Sequence, residues 1–249
     1  MPYAHTIVTG DTHMDWPALM KVLYHFMPEV CIVAGDFGWW PGEWIEAQIN
    51  GQDERTLRWL LENKPQKTEI RFIDGNHEDL SELFARHRLL TTDPHTAVEF
   101  EHRLWFQPRG STYELANGRK IFFCGGGKSV DFAIRRKGYS WFPEEIVHRD
   151  ELPETLPGAD LVISHIVPSL SGVFETMRPV KEVCEWWDDT PDETCATLDQ
   201  VWQEIRPPLW IAAHLHLHRE IEKEGTKFVV LDQVNGGYRP MSDFTYVLM

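Results

Sequence analysis

Residues that can bind divalent metals or move protons recur in this sequence directly after short apolar runs. They are Asp11 and His13, Asp36, Asn76 and His77, His165, and His214 and His216. Their carboxylate, amide and imidazole groups suit divalent metals, and no cysteine is among them. The paired residues Asp11/His13 and His214/His216 stand two positions apart, so in extended backbone both members of a pair face one side. One histidine after a strand is usually structural, but ligands after every one of these runs predict a shared metal site.

The apolar runs that precede these residues predict strands of an α/β fold. Runs at 7–9, 30–34 and 70–73 are each followed by a helical pattern; Pro17 opens the first helix, and the second covers about 54–63. In such folds the carboxyl ends of parallel strands meet at one edge of the sheet, where ligands bind. The repeated strand–helix order therefore predicts an edge that collects the polar residues.

The second half of the sequence predicts further strands. Asn117-Gly118 marks a hairpin between 112–115 and 119–124, and Thr190-Pro191 predicts the start of a helix that stops before Pro207. Residues 166–179 show no period and predict a long loop. Without a repeat or a linker, we predict a single domain over residues 1–249. The remaining predicted strands lie at 161–163, 209–212, 228–231 and 244–248.

The composition indicates a globular protein with an acidic surface. Lysine and arginine number 24 against 39 aspartates and glutamates, which gives a net charge of −15. This charge disfavours binding to long duplex nucleic acid and to anionic membranes. The four cysteines are scattered without a Cys-x-x-Cys pair, which argues against a disulfide framework or a thiolate zinc site. With no secretory signal and no membrane-length apolar run visible, we expect a cytoplasmic protein.

In chain order, the motifs resemble those of the calcineurin-like metallophosphoesterase superfamily, and their pattern is most similar to that of its small bacterial and phage-type phosphodiesterases. The resemblance spans nearly the whole chain. Within the motifs this chain departs from the family at Ala213, where glycine is usual, and this departure puts the local backbone geometry in question. It implies a four-layer α-β-β-α sandwich of two mixed sheets flanked by helices. The segments that carry it are Gly10-Asp11-Thr12-His13, Gly35-Asp36, Gly75-Asn76-His77-Glu78, His165 and Ala213-His214-Leu215-His216.

The resemblance also implies a site for two divalent metal ions, with Mn²⁺ expected first and Fe or Zn²⁺ as alternatives. In the family, a hydroxide between the metals attacks phosphorus in line. The histidine that matches His77 is not a ligand; it stabilises the transition state or protonates the leaving oxygen. The implied ligands are Asp11, His13 and His216 for one ion, Asn76, His165 and His214 for the other, and Asp36 for both.

Residues around the motifs favour a phosphodiester substrate. The Ser/Thr protein phosphatases of the superfamily carry arginines after the second motif and before Gly-Asn-His-Glu, where this chain has Phe37-Gly38-Trp39-Trp40 and Asp74. The charge of Asp74 would repel a phosphomonoester dianion more than a diester monoanion. We therefore expect hydrolysis of a cyclic or small nucleotide, 2′,3′-cyclic or 3′,5′-cyclic. The alternatives are a phosphomonoesterase, a protein phosphatase or a nuclease at the same site, and a non-catalytic binding scaffold.

Two groups of residues are candidates for contacts with this small phosphoester. Trp39 and Trp40 follow Asp36 closely, so a base could stack on one of them, with core packing of one ring and partial exposure of the other as the alternative. Lys128 and Arg135 belong to a basic stretch after Gly125-Gly126-Gly127. They could line a groove for the substrate, and a solvated basic face is the alternative.

Overall fold

Within the part of the chain that the structure describes, two six-stranded sheets form the centre. We analysed a computed structural model that describes residues 5–40, 54–177, 192–234 and 239–248. The described strands, in chain order, are β1 (Thr6–Thr9), β2 (Val30–Val33), β3 (Glu69–Phe72), β4 (Val98–Glu101), β5 (Leu104–Phe106), β6 (Thr112–Glu114), β7 (Lys120–Cys124), β8 (Leu161–Ser164), β9 (Leu209–Ala212), β10 (Arg219–Lys223), β11 (Thr226–Val230) and β12 (Thr245–Leu248).

Helices cover the outer faces of the sheets, and several begin at an aspartate cap. The carboxylates of Asp15, Asp79 and Asp192 accept backbone N–H groups of the first turns of α1, α3 and α4, which satisfies donors that the helix itself leaves open. No helix among the described residues is long and apolar enough to cross a membrane. The described helices are α1 (Trp16–Phe26), α2 (Glu54–Asn63), α3 (Leu80–Leu90), α4 (Glu193–Ile205) and the short α5 (Met241–Phe244).

Each sheet has a parallel centre and antiparallel edges. The first sheet has the order β12-β1-β2-β3-β5-β4, and the second has the order β10-β11-β9-β8-β7-β6. In the first sheet Thr9 pairs with Val33, which pairs in turn with Phe72, so β1, β2 and β3 end at the same level. In the second, Ile163 of β8 pairs with Ile211 of β9. The segments that follow these strands therefore leave the sheets side by side.

The core lies in three layers that fix the order of the sheets and helices. Between the sheets, Ile32 and Ile73 pack in one fully buried cluster with Phe123, Ile163 and Ile211 of the opposite sheet. A second cluster joins the outer face of the first sheet to α1, α2 and α3, and a third joins the second sheet to α4. The α-β-β-α sandwich implied by the sequence is therefore confirmed.

Several elements differ from the sequence predictions. The strands β4, β5 and β10 were not predicted, although the alternation of buried Val98 and Phe100 with exposed glutamates is a visible period-two signal in β4. Phe244, predicted to start the last strand, ends α5 instead. Helix α4 begins at Glu193, and Pro191, the predicted first helical residue, lies outside the described residues. The predicted long loop contains 3-10 turns at Ser169–Ser171 and Phe174–Thr176 within its described part.

Candidate metal centre

The residues predicted to bind metals converge just beyond the carboxyl ends of β1, β2, β3, β8 and β9. Donor atoms of one group lie within 4.8 Å of one another, and so do those of a second group. Asp36 belongs to both groups. The first group, named cluster A, consists of Asp11, His13, Asp36 and His216; the second, named cluster B, consists of Asp36, His165 and His214.

Cluster A brings two imidazole nitrogens face to face. The Nε2 atoms of His13 and His216 are 3.0 Å apart. Carboxylates lie beside them, with Asp11 Oδ2 at 3.1 Å from His216 Nε2 and Asp36 Oδ2 at 3.5 Å from His13 Nε2. Nitrogen and oxygen atoms at these separations match the edges of a coordination shell around one divalent ion.

Cluster B also combines imidazole and oxygen donors, and a backbone carbonyl orients His165 within it. His165 Nε2 lies 3.0 Å from His214 Nδ1 and 3.1 Å from Asn76 Oδ1. The Nδ1 of His165 is 2.9 Å from the carbonyl oxygen of Ala34, so Nδ1–H donates there and Nε2 faces the cluster. The amide of Asn76 donates to Ser129 Oγ at 3.1 Å, which turns its oxygen toward His165.

Asp36 stands between the two clusters. Its Oδ2 faces His13 of cluster A, while its Oδ1 is 3.4 Å from His165 Nε2 of cluster B. Oδ1 also accepts the backbone N–H of His77 at 2.8 Å, which fixes the rotamer of a side chain that is 1% exposed. One carboxylate shared in this way reduces the repulsion between two cations that lie close together.

The paired ligands do not converge through extended backbone, as the spacing had suggested. His13, Asp36, His214 and His216 all have positive φ, between 42° and 65°. The left-handed conformation is unfavourable for residues with a Cβ, and such strain is concentrated at functional sites. The i, i+2 interpretation is therefore wrong in its geometry, because tight left-handed turns bring the side chains together.

The buried carboxylates of the site remain ionised because histidines surround them. Burial alone would raise the pKa of Asp36, but His165, His77 and His13 hold it well below its usual value. Burial opposes ionisation of Asp11 as well, and the hydrogen bond from His216 and the charge of His165 lower its pKa. The metal-free site therefore carries fixed negative charge that attracts cations.

Three imidazoles of the site differ in pKa. Burial lowers the pKa of His13 to about 4, and burial together with neighbouring His165 lowers that of His214 to about 3. Burial would also lower the pKa of His165, but the carboxylate of Asp36 raises it to about 10. At neutral pH His13 and His214 present lone pairs, whereas in the metal-free protein His165 holds a proton that a metal must displace.

This difference predicts that metal uptake releases a proton. Binding of Mn²⁺ at pH 7 should release about one proton, and the apparent affinity should rise roughly tenfold per pH unit, because the metal competes with the proton at His165. Titration calorimetry in Tris and in PIPES, which differ in ionisation enthalpy, measures the number released. Identical heats in the two buffers would show that His165 is already neutral.

Glycines allow the strand ends to approach so closely. A Cβ built on Gly75 would lie 2.1 Å from Asp36 Oδ1 and 2.5 Å from the backbone nitrogen of Asp36. The loop after β3 therefore reaches Asp36 only because position 75 has no side chain.

Replacing Gly75 with alanine should displace Asp36 and weaken metal binding by about tenfold to a hundredfold, the range found when metal ligands lose their support. The affinity for Mn²⁺, measured by calorimetry, tests this. Gly158→Ala is a matched control, because neither glycine has left-handed backbone and nothing lies within 4 Å of a Cβ at Gly158. Equal affinities in the two variants would contradict the tight fit.

His77 lies beside the clusters but belongs to neither. Its ring packs edge-on against His13, with centroids 4.6 Å apart. Arg135 Nη2 donates to His77 Nε2 at 2.8 Å, and Asp131 Oδ1 holds Arg135 Nε at 2.7 Å. The sequence candidates His77 and Arg135, which are 58 positions apart, therefore form one pair at the metal site.

Lys128 follows a glycine that lies beside cluster B. This glycine is Gly127, where a Cβ would lie 3.2 Å from His165 and 3.6 Å from His214. The N–H of Lys128 donates to Asp192 at 2.8 Å, and its ammonium group lies 5.7 Å from the centre of the Phe132 ring. Gly127 thus borders cluster B, and Lys128 is the next residue along the chain.

Trp39 and Trp40 do not form a stacking platform, and this prediction is wrong. Their exposed fractions are 3% and 6%, and both belong to the outer core of the first sheet. Trp39 packs on Phe72 and Phe100, whereas Trp40 donates its indole N–H to the carbonyl of His77 at 2.9 Å. The indole of Trp40 thereby supports the loop that carries His77.

Asp74 does not act on a substrate as the sequence had suggested. The side chain is fully buried, and Arg109 donates to its Oδ2 from Nε at 3.0 Å and from Nη2 at 2.8 Å. Because a guanidinium neutralises it, Asp74 gives no argument for diesters over monoesters. Ala213, which stands where the family usually has glycine, does not require left-handed backbone. It is buried in the inter-sheet core, so alanine fits the local geometry there.

Several supporting residues were not assigned a role from the sequence. Glu78 accepts the N–H groups of Gly38 and Gly75 at 3.1 and 2.7 Å, and it thereby ties the loops after β2 and β3 together. Glu145 accepts the N–H of Ser129, the partner of Asn76. The position of Glu78 inside the third motif was a usable signal, but nothing in the pattern pointed to Ser129 or Glu145.

A sandwich of two mixed sheets, with polar strand ends gathered around two adjoining clusters, has the architecture of a metal-dependent phosphoesterase. Residues 4–218 match the family model of the calcineurin-like phosphoesterases, and the chain belongs to that family. A comparison with curated proteins finds no match.

Solved structures of low identity are also similar. A predicted phosphoesterase of Streptococcus pneumoniae TIGR4 is 13% identical, with a TM-score of 0.38, covering 94% of this chain and 76% of that one. The protein TT1561 of Thermus thermophilus is 9% identical, with a TM-score of 0.47 and coverages of 92% and 89%. Sequence identities and TM-scores this low give no information about the substrate.

Proposed function

We propose that this protein is a two-metal phosphodiesterase that hydrolyses a cyclic or small nucleotide, with a 2′,3′- or 3′,5′-cyclic phosphate as the leading substrate. The observation that carries the proposal is the position of Asp36, whose two oxygens face different clusters. A carboxylate in this position suits a pair of ions that act together on one phosphoryl group.

The ligand chemistry supports two divalent ions. When bound, such ions supply an activated water and offset negative charge on the phosphoryl oxygens. Oxygen and imidazole donors fit Mn²⁺, which we propose first, with Fe or Zn²⁺ as alternatives. Cluster A would hold one ion through Asp11, His13 and His216, cluster B the other through Asn76, His165 and His214, with Asp36 shared.

His77 and Arg135 would act on the substrate rather than on the metals. Hydrolysis joins a water oxygen to phosphorus, breaks the ester P–O bond and delivers a proton to the leaving oxygen. The imidazole of His77 lies beside cluster A, where it can hydrogen-bond to the reacting oxygens. The guanidinium of Arg135, held by Asp131, can donate to a non-bridging phosphoryl oxygen.

The arginine beside the clusters supports a diester. Arg135 places its guanidinium against His77. After the second motif, where the protein phosphatases of the superfamily carry an arginine, this chain has Phe37-Gly38. A diester monoanion needs less charge compensation than a monoester dianion, and the guanidinium of Arg135 beside two metals would supply it. The cytoplasmic location and the single domain remain predictions.

A substrate panel tests the proposal. The Mn²⁺-loaded protein should hydrolyse bis-p-nitrophenyl phosphate and at least one cyclic nucleotide faster than p-nitrophenyl phosphate, and EDTA should abolish all turnover. A preference for p-nitrophenyl phosphate would establish a monoesterase instead. Cleavage of duplex DNA would establish a nuclease, and the absence of stoichiometric metal and of turnover would establish a binding scaffold.

A further inference from the structure

The segment 128–142, named the rim segment, forms hydrogen bonds to residues beside both clusters. Ser129 Oγ accepts from Asn76 at cluster B, and Arg135 reaches His77 beside cluster A. Phe142 is 2% exposed and packs on Trp40, which supports the loop of His77. A substrate phosphate at the metals would therefore have the rim segment as its neighbour.

Two aromatic rings of the rim segment remain partly exposed. Phe132 and Trp141 are half-buried, and their rings are in contact, with centroids 5.8 Å apart. Phe132 lies close to the phosphate-binding candidate, because its carbonyl accepts the N–H of Arg135 at 3.1 Å. Trp141 is placed by hydrogen bonds to Arg136 and Gly138. These rings differ from Trp39 and Trp40, which are buried in the core.

A lysine lies near each of the two rings, in a chain whose net charge is −15. Lys128 Nζ lies 5.7 Å from the centre of the Phe132 ring, and Lys137 Nζ lies 5.9 Å from that of Trp141. Arg135 belongs to the same segment, and Asp131 and the carbonyl of Ser140 hold its guanidinium in place. Aromatic faces combined with positive charge are the combination that binds nucleotides, because the base stacks while the phosphate is neutralised.

Building on the proposed phosphodiesterase function, we infer that Phe132 and Trp141 form the binding surface for a planar ring, such as a nucleobase, that the substrate carries next to its phosphate. Arg135 holds the phosphate at one end of this surface, and the ring of the substrate stacks on the exposed part of the aromatic pair. The rim segment thereby selects nucleotide diesters over small alkyl diesters.

Two diesters with the same leaving group isolate this effect. Thymidine 5′-(p-nitrophenyl phosphate) and methyl p-nitrophenyl phosphate both release p-nitrophenolate, and they differ in whether a base is attached. We expect kcat/KM to favour the thymidine ester by about tenfold or more, as one stacked base provides. Trp141→Ala and, separately, the milder Phe132→Leu should lower this ratio toward one. Because the readout is a ratio within one protein sample, partial loss of active enzyme does not affect it.

Trp59→Ala is the matched control, since Trp59 is a 46% exposed tryptophan on α2 and is not part of the rim segment. It should retain the wild-type ratio. Equal kcat/KM for the two esters in the wild type, or an unchanged ratio in both rim variants, would overturn the inference and leave the phosphodiesterase proposal intact. Failure of the metal-loaded wild type to cleave either ester would instead overturn the proposed function.

Discussion

Replacing Asp36 with asparagine should lower kcat/KM for bis-p-nitrophenyl phosphate by roughly a thousandfold or more, because both ions lose their shared anionic ligand. Asparagine keeps the shape of the side chain and can still accept the N–H of His77 through its oxygen. It removes the negative charge and offers only one good donor atom. Elemental analysis after dialysis should show that the metal content falls below two ions per protein.

A second aspartate provides the control for this substitution. Asp160 also accepts a backbone N–H, from Lys120 at 2.8 Å, but it is exposed and belongs to neither cluster. Asp160→Asn should leave turnover and metal content at wild-type levels. If Asp36→Asn retained both metals and more than a tenth of the activity, Asp36 would not be the bridging ligand.

Replacing His77 with alanine should lower kcat by about a hundredfold to ten-thousandfold while the protein keeps its metals. The imidazole contacts His13 and Arg135 but is not among the donor atoms of either cluster. The loss should therefore appear in turnover with the metal content unchanged, which separates His77 from every predicted ligand. Steady-state kinetics and metal analysis of the same sample provide both quantities.

The exposed His25 of α1 is a suitable comparison, because His25→Ala removes an imidazole outside the metal site. Its kinetics should equal those of the wild type. Loss of one bound metal in His77→Ala would make His77 a ligand, and full activity would remove it from the reaction.

The sequence predicted the fold and the grouping of the polar strand ends, because both depend on local patterns. Buried strands such as β2 and β8 are continuous apolar runs, and parallel strands deliver the residues after them to one edge. The chain order of the motifs then predicted which residues gather around Asp36. Their roles as metal ligands remain predictions that the geometry supports.

Features that depend on contacts between distant residues could not be predicted from the sequence. Asp74 could be assigned a charge but not its partner, because Arg109 lies 35 positions away and reaches it only in the folded protein. The same holds for Trp39 and Trp40, which pack into the apolar core although they follow a ligand in sequence. The spacing of the paired ligands also predicted extended backbone at His13 and His214, where the structure has left-handed turns. A left-handed turn leaves no periodic pattern in the sequence from which it could be predicted.

The most direct test of the two-metal site is anomalous diffraction from crystals of the Mn²⁺-loaded protein. We expect two peaks about 3.5–4 Å apart, one on each side of the Asp36 carboxylate. One ion would lie within bonding distance of Asp11, and the other within bonding distance of His165. A single peak, or two peaks that do not share Asp36, would contradict the two-metal site.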